Sequence, residues 1–129
     1  MRVLVDTNVI IEHLHGATRV TPYFDAAADG TIELSISVMT EYELLRWPLL
    51  TDDDADEIGF LLERYRVIDV DRRIAQIAAT ISRTHTRIGT ADILIAATAI
   101  AHHVPLLTKN VRHFKNVAML ELLTEPPKV

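Results

Sequence analysis

The chain opens on an uninterrupted apolar run, Val3-Leu4-Val5, closed by Asp6. A run this short and β-branched predicts a buried strand and not a helix. Asp6-Thr7-Asn8 is turn and helix-cap chemistry, leading into Val9, Ile10, Ile11 and Leu14 on a short helix that Gly16 stops. A second helix is predicted after Thr21, with Pro22 at its first position, ending at Asp29-Gly30. Residues 33–37 (Glu-Leu-Ser-Ile-Ser) alternate with period two, a strand pattern. Residues 38–46 read as a helix that Trp47-Pro48 ends.

Thr51 is positioned to cap the next helix, with Asp52, Asp53 and Asp54 in its first turn, while Ile58, Leu61, Leu62 and Tyr65 form one apolar face. A third strand follows over 66–70, then a helix carrying Ile74, Ile77, Ala78 and Ile81 at helical spacing. After Gly89, Thr90 is read as the cap of a helix over 91–102 that is apolar nearly all round, a sign of burial. Residues 104–107 predict a short strand, 110–114 a turn of helix, 117–120 a last strand, and 124–129 a frayed tail with Pro126-Pro127. Strands alternating with helices predict an α/β fold of three layers, α/β/α, around a central parallel sheet of about five strands. One domain over 1–123 accounts for the pattern, with no repeat or linker inside it.

Composition narrows the class. The 129 residues are 49% hydrophobic and include no cysteine, which removes disulfides, thiolate catalysis and cysteine-bound zinc. No stretch approaches the roughly 18 uncharged apolar residues of a membrane span, and nothing at the start reads as a signal peptide, so a cytoplasmic protein is expected. The net charge of −5 argues at first against nucleic acid, but the charge is unevenly placed. Residues 1–60 carry 3 basic against 12 acidic side chains, and residues 61–129 carry 10 against 6. An acidic half beside a basic half can hold cations in one place and phosphates in another.

In open parallel sheets, ligands bind beyond the carboxyl ends of the strands. Three acids fall there: Asp6 directly after the first strand, Glu41 about a helical turn past the second, and Asp92 in the first turn of the buried helix. Each has an ordinary structural explanation by itself, as a turn residue, an exposed helix acid or a helix-dipole partner. Together they would repel one another unless a cation sat among them, and hard divalent ions prefer such oxygen ligands.

The same segments carry a resemblance. Val3-Leu4-Val5-Asp6-Thr7-Asn8-Val9, Ser35-Ile36-Ser37-Val38-Met39-Thr40-Glu41, Gly89-Thr90-Ala91-Asp92-Ile93-Leu94-Ile95-Ala96-Ala97 and Leu106-Leu107-Thr108-Lys109-Asn110-Val111-Arg112-His113-Phe114 resemble, in order, the four motifs of the PIN-domain family. The resemblance extends to its VapC-like toxin ribonucleases and spans residues 3–114. It implies a five-stranded parallel sheet and Mg²⁺- or Mn²⁺-dependent endonucleolytic cleavage of RNA, with transfer or ribosomal RNA as substrate. It further implies in-line attack of water on the phosphodiester, leaving a 5′-phosphate and a 3′-hydroxyl. It implies an antitoxin partner and a homodimer. Carried over by position, Asp6, Glu41 and Asp92 bind metal and Asn110 joins them in catalysis. Where the family often has an aspartate this chain has Asn110, which lowers the local charge and favours one metal over two. Thr7, Asn8 and Thr108 are candidates to orient the carboxylates by hydrogen bonds.

Other features change the picture less. Arg83, Arg87, Lys109, Arg112 and Lys115 border the carboxyl edge of the sheet in sequence and are candidates to grip RNA phosphates. Aromatics are sparse, so base recognition by stacking has little to work with. None of the six histidines pairs at i, i+4, the spacing of a helical zinc site. Trp47, Leu49 and Leu50 around Pro48 either close the core or face a partner. An Asp-x-Asp phosphatase would want an aspartate where Asn8 stands, and a receiver-like signalling domain would want an acidic neighbour to Asp6. A PIN-like module that binds RNA or protein without cleaving is the remaining alternative.

Overall fold

The computed structural model describes residues 1–16, 19–47 and 51–124. The elements are β1 (Arg2–Val5), α1 (Thr7–Leu14), α2 (Thr21–Ala28), β2 (Glu33–Ser37), α3 (Val38–Leu45), α4 (Asp52–Arg64), β3 (Arg66–Ile68), α5 (Arg72–Thr84), α6 (Thr90–His102), β4 (Leu106–Leu107), α7 (Val111–Phe114) and β5 (Leu122–Leu123). The five strands form one sheet in the order β3-β2-β1-β4-β5, every pairing parallel. The expected α/β architecture is therefore present.

The period-two geometry of a strand explains the layers. Leu4 and Leu106 point to one face, where they meet Ile74, Ala78 and Ile81 of α5, Ile93 and Ile95 of α6, and Phe114 of α7. Val3, Val5 and Leu107 point to the other, against Val9 and Ile10 of α1, Tyr23 and Phe24 of α2, Leu44 of α3 and Ile58 of α4. Two cores thus sandwich one sheet, which is why Val3-Leu4-Val5 of β1 and Leu106-Leu107 of β4 are apolar on both faces. Within the sheet Ser35 satisfies its buried hydroxyl by donating to the Val3 carbonyl at 3.2 Å.

Helix ends follow local chemistry. Thr51 and Asp54 form a capping box at the start of α4, and Asp71 caps α5 by accepting from the Ile74 amide. Gly16, at φ +80°, supplies the left-handed turn after α1. The cap of α6 is Gly89 and not Thr90, which is the first helical residue and makes no side-chain cap.

The last strand lies at Leu122–Leu123, not over 117–120. Val117 instead packs its side chain into the α5–α6 core, and Met119 takes a left-handed φ of 69° incompatible with a strand. Strands β3 and β4 are also shorter than the apolar pattern suggested, ending at Ile68 and beginning at Leu106. Trp47 is half-buried with its ring 5.2 Å from that of His15. Pro48, Leu49 and Leu50 lie outside the described residues, as does the tail from residue 125.

The sheet order fixes where chemistry belongs. The chain builds outward from β1 through β2 to β3, then returns to the other side of β1 for β4 and β5. Neighbouring connections diverge between β1 and β4, and their carboxyl ends open a crevice.

Candidate active site

Each of the three central strands delivers a buried polar residue to that end: Asp6 after β1, Ser37 at the end of β2 and Thr108 after β4, exposed by 3%, 0% and 1%. Asp6 caps α1, its Oδ1 accepting from the Thr7 amide at 2.8 Å, while Oδ2 accepts from the Thr108 hydroxyl at 2.8 Å. Thr108 Oγ1 in turn accepts from the Asn110 amide at 2.9 Å, so the turn after β4 is tied to the turn after β1. Burial pushes the Asp6 carboxyl up from 3.8 to about 6. The charges of Asp92 and Glu43 add to the rise, and the hydrogen bonds from Thr108 and Thr7 hold it back. Burial outweighs the two donors, and the neighbouring carboxylates push the same way.

The carboxylate that α3 contributes is Glu43. Ser37 caps α3 through the Met39 amide at 3.1 Å, which fixes the helix against the end of β2. Thr40 is fully buried, and its Oγ1 lies 3.1 Å from that of Thr7. Glu43, three residues on and so on the same helix face, accepts from the Thr7 hydroxyl at 2.7 Å. Thr7 has one hydroxyl proton, so it donates to Glu43 and accepts from Thr40. Glu41 lies two residues before Glu43, about 200° around the helix, and cannot share that face. The sequence points to Glu41 for this acid, while the structure sets Glu43 against Thr7. The helical step from buried Thr40 to Glu43 was the signal that could have found it.

Asp92 occupies the first turn of α6, with its side chain 27% exposed. Its Oδ2 lies 3.3 Å from His113 Nδ1, which also lies 2.8 Å from Asn110 Nδ2. Asp92 accepts only from a protonated Nδ1, whereas the Asn110 amide donates only to a bare one, so the contacts belong to alternative tautomers. Asn110 and Asp92 are thus brought together through His113. Asn8 is exposed, and among the described residues no hydrogen bond joins it to a carboxylate.

The five cations sort differently. Lys109 is ion-paired with Glu12 of α1. Arg83 bonds back to Thr80 on its own helix at 3.4 Å, and Lys115 is exposed at the end of α7. Arg87 and Arg112 face a common cleft with His113. His13, by contrast, is a packing residue, stacked on Phe24 with ring centroids 3.7 Å apart.

The donor chemistry can be tested against a divalent ion. Among the described residues, no group of three acidic or histidine side chains stands close enough to form a complete protein ligand set. Mg²⁺ does not ask for one, since it keeps several waters and is held by one or two carboxylates. Each Asp6 oxygen accepts one hydrogen bond and keeps a further lone pair. All the acidic donors are hard oxygens, in a site where burial, and with it the charges of Asp92 and Glu43, raises the Asp6 pKa. These residues fit such an ion.

A parallel sheet of this order, with an acidic centre beyond β1 and β4, defines a small α/β protein built around a carboxylate cluster. The PIN domain family model matches residues 3–120, and the chain belongs to that family. It is similar to ribonuclease VapC10 of Mycobacterium tuberculosis, 36% identical with 96% of this chain and 92% of that protein covered. Ribonuclease VapC of Rickettsia bellii is 33% identical over 99% of both chains. Among solved structures, VapBC2 from Rickettsia felis bound to a DNA fragment from their promoter has the same fold, with TM-score 0.82 at 21% identity, covering 95% of this chain and 98% of that one.

Proposed function

We propose that this chain is a divalent-metal-dependent endoribonuclease, the toxin of a VapBC-type pair held in check by a cognate antitoxin. The observation that carries the reading is Asp6: a buried carboxyl at the switch point, pushed up to about 6 beside Asp92 and Glu43. Relatives named ribonuclease VapC, matched along nearly their full length, support the activity. The fold shared with a VapBC complex supports the antitoxin partner.

In this reading Asp6, Glu43 and Asp92 hold Mg²⁺ or Mn²⁺, with Asn110 beside them, and Glu43 replaces Glu41 in the set. When bound, the ion supplies Lewis acidity toward the phosphodiester and lowers the pKa of water. The chain's own residues do the rest. Thr108 and the Thr7 amide fix both oxygens of Asp6, so its orientation survives an empty site. Thr7 and Thr40 hold Glu43 at the edge of the crevice. His113 takes a proton position beside Asp92, where its two tautomers exchange partners.

The substrate is RNA in solution, in the cytoplasm; among the described residues no helix is long and apolar enough to cross a membrane. A homodimer remains part of the proposal, supported by Tyr42 and Leu45, which α3 leaves 57% and 54% exposed.

The test is cleavage of labelled total RNA by antitoxin-free protein with Mg²⁺ or Mn²⁺, against EDTA and against Asp92→Asn. Discrete fragments that need both the metal and Asp92 are expected. Intact RNA from folded protein would leave a PIN-like module that binds without cleaving.

A further inference from the structure

Beside the acidic centre lies a second, chemically opposite feature. The turn joining α5 to α6 and the helix α7 enclose an open cleft of about 580 Å³, lined by His85, Arg87, Arg112, His113 and Asn116 together with threonines. No described acidic residue lines it. Its position is set by His113, which forms part of its wall and also contacts Asp92 at 3.3 Å. The cleft therefore runs directly into the carboxylate cluster and does not stand apart from it.

Two arginines converging from different elements present planar donor forks suited to phosphate. Neither is spent on an ion pair among the described residues, unlike Lys109, which Glu12 of α1 takes. The absence of a lining aromatic residue other than histidine leaves little for base stacking and points to backbone recognition.

We propose that this cleft, through Arg87 and Arg112, is a subsite for a non-scissile phosphate of the RNA strand, adjoining the bond under attack. The proposal rests on the nuclease reading above and gives it a direction: the strand leaves the acidic centre past His113 and between α7 and the α5–α6 turn. It also divides the basic residues of the carboxyl-terminal half. Arg87 and Arg112 grip the strand, while Arg83, Lys109 and Lys115 do not.

The experiment is fluorescence anisotropy of a labelled single-stranded 12-nucleotide oligouridine, in EDTA to prevent cleavage, across a salt series. Each phosphate neutralised on a single strand contributes about 0.7 to the slope of log affinity against log salt. The pair Arg87→Gln/Arg112→Gln is expected to lose about 0.7 from the wild-type slope. The pair Arg87→Lys/Arg112→Lys is expected to keep the slope, and Arg83→Gln/Lys115→Gln to leave it unchanged. All four positions are exposed, and circular dichroism checks that each variant folds.

A wild-type protein that binds and cleaves RNA while the glutamine pair keeps the full slope overturns the subsite and leaves the nuclease intact. Loss of slope in the Arg83/Lys115 pair equal to that in the Arg87/Arg112 pair also overturns it, since the attraction is then diffuse. Failure of the wild type to bind the oligonucleotide at any salt overturns the subsite, while metal-dependent cleavage of total RNA still decides the nuclease reading. A polyglutamate peptide that competes through the same two arginines, with RNA unaffected by their loss, assigns the cleft to an acidic protein instead.

Discussion

The hydroxyl of Thr108 donates to Oδ2 of Asp6 at 2.8 Å, joining residues 102 positions apart in the chain. The bond crosses the switch point of the sheet, from the turn after β4 to the turn after β1. It is nearly solvent-free, with both residues at most 3% exposed, and Thr108 passes the connection on to the Asn110 amide. The acidic centre is thus assembled by the return of the chain to β1, not by any local motif.

Thr108→Val keeps the shape and removes the hydroxyl. It strips a donor from Asp6 and an acceptor from the Asn110 amide, and a buried group left unpaired costs about 1–3 kcal/mol. Urea unfolding is expected to show a loss in that range. Because the lost bond lowers the Asp6 pKa, its removal moves that titration upward, and the acid limb of the activity profile shifts to higher pH.

Asp6 also sets how the metal-free protein responds to pH. Its folded pKa, about 6, lies above the ordinary 3.8, so folding favours the protonated form. The contribution is fully present below about pH 4 and is lost as pH rises through about 6. A rise of this size corresponds to about 3 kcal/mol. In EDTA, Asp6→Asn should therefore be more stable than wild type at pH 8, and the advantage should shrink as pH falls below 6. Chemical unfolding at a series of pH values reads the difference directly; a wild type that stays as stable as Asp6→Asn at pH 8 would contradict the assigned burial.

The two glutamates of α3 separate cleanly by substitution. Glu43→Gln is expected to lower RNA cleavage by about 100-fold, the upper end of what groups around a metal site cost. Glu41→Gln, on the other side of the helix, should stay within about threefold of wild type, as substitutions away from a site's own contacts usually do. Initial rates on one labelled RNA at saturating Mg²⁺ compare the two. Reversal of that order would restore Glu41 to the site.

Asn110→Asp adds a carboxylate beside His113 and Asp92. Mn²⁺ affinity should rise by about tenfold, since affinity for such ions follows the charge of the ligand set. The same variant in EDTA should be less stable than wild type at pH 8 because the added charge has no counter-ion. Isothermal titration and chemical unfolding measure the pair of effects.

The parts of this structure legible in the sequence are those with enough residues to show a period. The stripe of Ile74, Ala78 and Ile81 announced α5, and all three are buried in the core. Val3-Leu4-Val5, apolar at every position, announced a strand covered on both faces. A two-residue strand shows no period at all, and so β5 was placed on the nearby apolar run 117–120, which folds as a turn. The sequence points to Glu41 and leaves Glu43 unnamed for a different reason. Both lie in one turn of one helix, and only the packing of Thr40 against Thr7, from another element, decides which acid faces the crevice. The cleft at Arg87 and Arg112 is likewise a product of tertiary packing, since five basic residues looked equivalent before the fold separated them.

The central claim is that the carboxylates beyond β1 and β4 hold one divalent ion. Titration of metal-free protein with Mn²⁺, followed by the electron paramagnetic resonance signal of the free ion, tests it without any substrate. The account predicts that wild-type protein removes one equivalent of the signal, and that Asp6→Asn and Asp92→Asn each leave it in solution. Equal uptake by all three proteins would contradict it.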